Sequence, residues 1–265
     1  MILEKLFIYP VKSLGGIEVT RARVERRGLQ FDRRYMLADS NGRFLTQREH
    51  PIMALFRLQF RDDGIEVNAP DGSVLVLPYS IESGEEKKVQ IWSSECVCID
   101  AGELYNAFFQ KTMGIDVSLV YMPEECERAV NPTFATEGDI TAFSDGYPLL
   151  VMTTASLDDL NGRLSRPVGW DRFRPNLVLR NEVALEEDHW KTLEFDTVTL
   201  RVVKPCSRCV ITTINQDTGI ASKEPLRTLA SYRNFDHNVN FGQNAIPQSF
   251  GMEIGIGQNV EARSV

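Results

Sequence analysis

Apolar and polar residues alternate over most of the first hundred positions, and Asn41-Gly42, Asp63-Gly64 and Asp71-Gly72 interrupt the alternation. Each pair suits a two-residue hairpin turn, because Asn or Asp followed by Gly tolerates the positive φ such turns require. The flanking segments predict strands over 35–38, 44–47, 55–60, 65–68 and 74–77, with two more over 88–92 and 96–100. A strand before Lys12-Ser13 is also expected. This many short antiparallel strands predict a barrel or a sandwich.

The period then changes. Leu104-Tyr105 and Phe108-Phe109 repeat at four residues, which predicts an amphipathic helix over 102–113 that Gly114 ends. A strand over 117–121 and a polar loop over 123–140 follow. A domain boundary is expected within 115–125, dividing the chain into 1–118 and 119–265. In the second half, Ser156-Leu157-Asp158-Asp159 reads as a capping-box-like helix start, with Leu157, Leu160 and Leu164 on one face. Strands are predicted over 177–179, 197–203, 252–256 and 260–263. Glu224-Pro225 predicts a helix start, with Leu226, Leu229 and Ala230 as its buried stripe. The fold class is mostly β with a few helices (α+β). There are no repeats and no low-complexity tracts.

Composition narrows the function classes. Of 265 residues, 43% are hydrophobic and 25% charged, values of an ordinary folded chain. A net charge of −8 argues against nucleic-acid or anionic-membrane partners, so any anionic ligand needs a local basic cluster. No apolar run approaches the roughly 18 residues of a membrane span. Glu4 and Lys5 break the only short apolar stretch near the N-terminus, so no signal peptide is expected. The five cysteines are odd in number, and a cytoplasmic protein with reduced thiols is the expectation.

The densest chemistry is Cys206-Ser207-Arg208-Cys209, preceded by Lys204-Pro205 and followed by a β-branched run over 210–214 that predicts a strand. A redox dithiol lowers its thiol pKa at a helix N-terminus, and this pair opens onto a predicted strand instead. A structural zinc needs two more ligands at suitable spacing. A soft thiolate flanked by Lys204 and Arg208 remains, suited to a metal on an anionic cofactor. Other polar groups stand at ends of apolar runs: Lys12-Ser13, Asp32-Arg33-Arg34 and Arg174-Pro175-Asn176. Taken singly, a Lys-Ser turn is usually solvated, an Arg is usually an ion-pair partner, and a lone Cys can be inert. Cys96 and Cys98 share one strand face; they are expected as neighbouring core thiols rather than zinc partners of Cys206 and Cys209. His50, His189 and His237 match no ligand spacing. Trp92, Trp170 and Trp190 are expected in the core or at a domain interface.

Several motifs together carry a resemblance. Tyr9-Pro10-Val11-Lys12-Ser13, Phe31-Asp32-Arg33-Arg34-Tyr35, Phe173-Arg174-Pro175-Asn176 and Pro205-Cys206-Ser207-Arg208-Cys209 occur in order. Asp217-Thr218-Gly219, Lys223-Glu224-Pro225-Leu226 and Phe241-Gly242-Gln243-Asn244 continue the series. Over essentially its whole length the chain resembles the molybdenum cofactor sulfurase C-terminal (MOSC) domain proteins with an N-terminal β-barrel domain. Among these it is similar to the mitochondrial amidoxime reducing components and the bacterial reductases of N-hydroxylated bases.

The resemblance implies a molybdenum–molybdopterin cofactor (Moco) between an N-terminal barrel and a MOSC-type barrel, with Cys209 as metal ligand. It implies cofactor contacts from Lys12, Ser13, Arg34, Arg174, Asn176, Ser207 and Arg208, and a pterin-facing loop at Asp145, Gly146 and Tyr147. The basic residues suit the cofactor's phosphate and the thiolate suits a metal on dithiolene sulfur. Lys204 and Arg208 are expected to keep Cys209 ionised, and Cys206 to be a structural thiol. The implied activity is two-electron reduction of small N-hydroxylated substrates: bases, hydroxylamines and amidoximes. The cysteines hold no plant-type iron–sulfur motif, so the electrons are expected either from a separate reductase or ferredoxin or from a ferredoxin-like domain beyond Val265, as some bacterial relatives carry. Two alternatives stay open: a cofactor carrier or sulfur-transfer module without turnover, and a zinc or dithiol redox protein.

Overall fold

The computed structural model describes residues 1–264. The chain opens with β1 (Ile2–Ile8), β2 (Ile17–Val19), β3 (Arg21–Glu25) and β4 (Gly28–Leu29). After β5 (Tyr35–Ala38), a meander of β6 (Arg57–Arg61), β7 (Gly64–Asn68) and β8 (Val74–Leu77) follows. The β7–β8 turn contains Asp71-Gly72, as the sequence signals, whereas the β6–β7 turn is Asp62-Asp63, one residue early, with Gly64 already paired to Arg61. Asn41-Gly42 also turns the chain, with Gly42 at φ +77. The predicted strand over 44–47 is reduced to one bridge, Ala38 to Phe44, because the chain curls at Thr46 into a 3-10 turn at Pro51–Leu55.

A hairpin of β9 (Glu86–Ile91) and β10 (Ser94–Asp100) precedes α1 (Glu103–Met113), which Gly114 ends in the left-handed conformation. β11 (Ser118–Tyr121) pairs with both β5 and β10. Phe109 of α1 packs with Phe56, Tyr35 and Leu119 in one buried cluster. The polar stretch over 123–140 is largely irregular and holds a small pair, β12 (Arg128–Ala129) and β13 (Ile140–Thr141).

Next come β14 (Leu149–Thr153), α2 (Thr154–Arg163) and β15 (Leu177–Arg180), with β14 and β15 parallel across the helix. β14 shows no alternation because all five of its residues are buried, so no polar face marks it in the sequence. α2 begins ahead of its expected start: Thr153 caps it by accepting from the Ser156 amide. β16 (Thr192–Glu194) and β17 (Thr199–Ser207) lead to the Cys206–Cys209 loop. α3 (Leu226–Tyr232), β18 (Asn234–Phe235), β19 (Asn238–Pro247), β20 (Glu253–Gly255) and β21 (Glu261–Arg263) complete the chain. Only Leu229 of the expected α3 stripe is fully buried.

The predicted strand over 210–214 is a correction. Val210–Thr213 forms a 3-10 turn capped by Cys209. The Thr212 hydroxyl donates to the Cys209 carbonyl at 3.0 Å and the Thr213 hydroxyl to the Val210 carbonyl at 2.7 Å. Local hydroxyl-to-backbone bonds thus overcome the β preference of a branched run.

Chain order and sheet order differ. The largest sheet among the described residues has nine strands and runs β2-β1-β15-β14-β19-β17-β16-β21, with β18 attached to β19. The first strand therefore lies antiparallel to β15, and β3 pairs with β20. Leu3, Leu6 and Val24 share a buried cluster with Leu177, Leu193 and Leu200. This closure carries Tyr9–Ser13, just past β1, alongside Arg174–Asn176, just before β15.

Candidate functional site

One cleft collects side chains from separate stretches of the chain: the loop after β1, the segments on either side of β5, the 143–150 loop, the approach to β15, the end of β17 with the turn after it, and Asn244 of β19. Its cavity volume is about 160 Å³. Lys12, Arg33, Arg48, Arg172, Arg174 and Arg208 all line it, and Asp145 is the acid among its lining residues. In a chain of net charge −8 this is a local reversal of sign.

Tyr9 anchors two of these cations. The guanidinium of Arg33 lies 4.4 Å and that of Arg174 4.3 Å from the Tyr9 ring centroid. The phenol donates to the Pro175 carbonyl at 3.1 Å, and burial pushes it far above its ordinary pKa. Arg174 donates to the Leu14 carbonyl at 2.6 Å and adopts φ +58, a left-handed conformation that costs a non-glycine residue about 1–3 kcal/mol. Burial lowers its pKa to about 10, against the favourable field of Tyr9. Asn176 is fully engaged: its Oδ1 accepts from Arg33 at 3.0 Å and the Leu150 amide at 3.2 Å. Its Nδ2 donates to the Phe7 carbonyl at 3.2 Å and to Asp32 at 3.1 Å. Asp32 also accepts from Arg33 at 2.5 Å and the Tyr9 amide at 2.8 Å.

Lys12 is buried and donates to Asp145 at 2.6 Å and the Phe143 carbonyl at 2.8 Å. Burial lowers the Lys12 pKa, and Asp145 opposes the fall. For Asp145, desolvation alone would raise the carboxyl. Lys12 and Arg48 outweigh it and hold the group well below the ordinary carboxylate range. Ser13 sits at φ +67, and its carbonyl accepts from Gln47 at 2.7 Å. Gln47 and the buried Gln216 then bond each other through their amides, tying this loop to the segment after Cys209.

Both thiols of the pair border the cleft and are half-buried and free. Burial raises the Cys206 thiol pKa, with Arg208 acting in the opposite direction. Around Cys209 the cations differ from expectation. Arg208 turns inward, donating to the Phe241 carbonyl at 2.7 Å and the Phe173 carbonyl at 3.0 Å. Lys204 stands over the Phe134 ring at 4.9 Å. The group that reaches Cys209 Sγ is Arg48, whose Nη1 is 3.7 Å away. Gly242, at φ +76, leaves room for the Arg208 turn, since a Cβ there would lie 3.2 Å from its Nη2.

Of the residues singled out from sequence, Lys12, Ser13, Arg174, Asn176, Ser207, Arg208 and Cys209 converge on this cleft, and the Asp145-Gly146-Tyr147 loop forms one wall. Arg34 does not join them. It is buried on the other side of the strand entry, donating to the Met122 carbonyl through Nε at 3.2 Å and to Glu124 at 2.6 Å. Its neighbour Arg33 takes the cleft position, because Arg33 sits in the turn before β5 with a left-handed φ of +50, which sends its side chain away from that of Arg34. Arg48 and Arg172 were not foreseen. Arg48 lies in a plain turn with no motif around it, whereas Arg172 is two residues before Arg174 and could have been included with it.

The remaining expectations divide. Cys96 and Cys98 are buried with Cys126 in a separate cluster and line a different cleft from Cys206 and Cys209. Among the described residues no group of three or more His, Cys, Asp or Glu is arranged to hold a metal ion. Trp190 is buried, but Trp92 is 50% exposed and is therefore not a core residue. No described helix is long and apolar enough to cross a membrane.

Comparison with known proteins places this architecture. Residues 1–116 match the MOSC N-terminal beta barrel domain and residues 139–261 match the MOSC domain. The chain is 33% identical over 242 residues to mitochondrial amidoxime reducing component 2 of Macaca fascicularis, covering 87% of this chain and 72% of that protein. It is 34% identical over 243 residues to mitochondrial amidoxime-reducing component 1 of Mus musculus, covering 87% and 71%. The human component 2 matches at 33% over 242 residues, covering 87% and 72%. With both domains in order and this similarity across most of its length, the chain belongs to the MOSC-domain family that includes the mitochondrial amidoxime reducing components.

Proposed function

We propose that this protein is a molybdenum-dependent reductase of N-hydroxylated compounds, with its cofactor in the cleft between units 1–118 and 119–265. The observation that carries this reading is the meeting of Lys12, Arg33, Arg172, Arg174 and a free thiol pair in one cleft of an acidic chain. The donor set fits molybdenum–molybdopterin. Guanidinium forks and a lysine suit the phosphate, and a thiolate suits a metal already bound to sulfur. When bound, that group supplies two-electron redox chemistry at an open metal position.

In this proposal Lys12, Arg33 and Arg174 hold the anionic end. Ser13, Ser207 and the Asp145–Tyr147 loop line the pterin. Cys209 is the metal ligand and Cys206 is a neighbouring thiol that keeps its proton. Asn176 acts indirectly: both its polar ends are bound by protein, so it fixes β1, β14 and Arg33 rather than touching the ligand. Asp32 does the same from beneath Arg33. Arg208 shapes the loop from inside, and Arg34 stays outside the cofactor set.

The reaction takes a substrate N–OH, two electrons and two protons to N–H and water. The electrons come from a separate reductase or ferredoxin, and the small N-hydroxylated substrate enters at the cleft mouth. The test is purification from a host that makes molybdopterin, followed by molybdenum quantification and reduction of an N-hydroxylated base with an artificial donor. Stoichiometric molybdenum with turnover supports the reading. Molybdenum without turnover under any donor points to a carrier, and absence of molybdenum refutes both.

A further inference from the structure

The turn joining β9 and β10 is a two-residue hairpin, since Ile91 pairs with Ser94 and leaves Trp92-Ser93 between them. Trp92 has φ +55, whereas Ser93 is not among the positive-φ residues. That first turn position belongs by preference to glycine, because an L side chain in the left-handed region crowds its own backbone. A tryptophan there is conformationally unfavourable and half-exposed as well, with 50% of its surface open. Neither burial nor turn chemistry accounts for it.

Its neighbours tie it to the cleft. The Arg48 guanidinium lies 4.7 Å from the indole centroid, and the same residue reaches Cys209 Sγ at 3.7 Å. The Trp92 side chain also helps hold the Asp145 carboxyl in the cleft wall below its ordinary range. Phe44 meets the indole edge at 5.1 Å with an interplanar angle of 62°, which fixes the ring's tilt. Arg48 lines both the cationic cleft and the groove that contains Trp92. The indole is thus a rigid aromatic plate at the lip of the cleft, latched from two sides and open elsewhere.

We propose that Trp92 is a specificity-determining residue that stacks planar, aromatic N-hydroxylated substrates, such as N-hydroxylated purines, at the entrance to the Cys209 cleft. The inference rests on the reductase reading for the chemistry and on the hairpin geometry for the recognition. Stacking of a base on an aromatic side chain tolerates many ring systems, because every base offers a π face. Aliphatic hydroxylamines offer none, so the two substrate types should separate on this residue alone.

Trp92→Gly removes the plate while suiting the turn, so the variant keeps the hairpin. With the molybdenum-loaded enzyme, KM for an N-hydroxylated purine should rise about tenfold or more. Loss of the brace on Arg48 acts on every substrate alike, so the rise in KM for the purine should exceed that for an aliphatic hydroxylamine by about tenfold. Trp92→Phe should recover most of the purine affinity. Equal losses on both substrates, or an unchanged purine KM, would overturn the proposal. Calorimetric binding of the purine without electron donor separates the two readings. If the wild type turns over nothing, the reductase reading fails, and weaker purine binding by Trp92→Gly than by wild type still supports the plate. Equal binding, or no binding to wild type, refutes it.

Discussion

Arg48 Nη1 stands 3.7 Å from Cys209 Sγ across a sequence separation of 161 residues. The guanidinium is braced by the Trp92 ring at 4.7 Å, and its charge helps hold Asp145 as a carboxylate. The cationic neighbour of the thiol therefore comes from the first half of the chain, and the residues adjacent to Cys209 in sequence point elsewhere.

The two thiols are expected to differ. Cys209→Ser should abolish reduction of an N-hydroxylated base, with residual activity below about one part in a hundred, because serine oxygen is a poor match for a soft metal site. Cys206→Ser should lose only a fewfold. Parallel activity and molybdenum measurements check this, and equal losses in both variants would mean the ligand role is misassigned.

Arg33 and Arg34 provide a sharper comparison, being adjacent and oppositely directed. Arg33→Ala should lower molybdenum content, and Arg174→Ala and Lys12→Ala should act in the same direction. Arg34→Ala should leave molybdenum content per folded molecule unchanged and destabilise the chain by about 1–3 kcal/mol, through lost bonds to Met122 and Glu124. Urea denaturation alongside metal analysis reads both effects. Molybdenum loss in Arg34→Ala at full stability would contradict this assignment.

Asn176→Ala should be among the most disruptive polar substitutions. It strips partners from Asp32, Arg33, the Leu150 amide and the Phe7 carbonyl at once. The expected loss is about 2–4 kcal/mol, in line with buried groups left unpaired. A loss of unfolding free energy in urea of less than about 0.5 kcal/mol would show that these bonds are readily replaced by water.

Anion affinity should fall at alkaline pH. Burial lowers the Lys12 pKa, whereas a guanidinium keeps its proton. A base whose folded pKa lies below its unfolded value holds fewer protons when folded, so between the two values stability rises with pH. Anion binding moves the other way, because it needs the Lys12 charge and loses it as pH climbs. Pyrophosphate titration at about pH 8 and about pH 10.5 should show several-fold weaker binding at the higher value. Unchanged affinity would exclude Lys12 from the anion site.

The meander, its turns and α1 were legible in the chain because they depend on local rules. Asp-Gly pairs set hairpins and a four-residue apolar repeat sets a helix, whatever packs outside them. The family motifs also named most of the cleft, since each motif keeps its side chains near a strand end. Strands buried on both faces escaped notice: β14 shows an unbroken apolar run, and a periodicity search needs a polar side to find one. The turn after Cys209 escaped as well, because Thr212 and Thr213 use their hydroxyls on the backbone.

The sequence by itself determined which residue types could hold an anionic, sulfur-bound metal group and which segments bring them. Tertiary structure alone decided which of two adjacent arginines faces the cleft, which cation reaches Cys209, and that a tryptophan stands at the rim. The physical reason is that facing depends on the backbone conformation of the turn before a strand, left-handed at Arg33, and long-range neighbours depend on sheet order. With β1 inserted beside β15 and the β9–β10 hairpin carrying Trp92 toward Arg48, contacts form between residues whose local sequence gives no sign of the other.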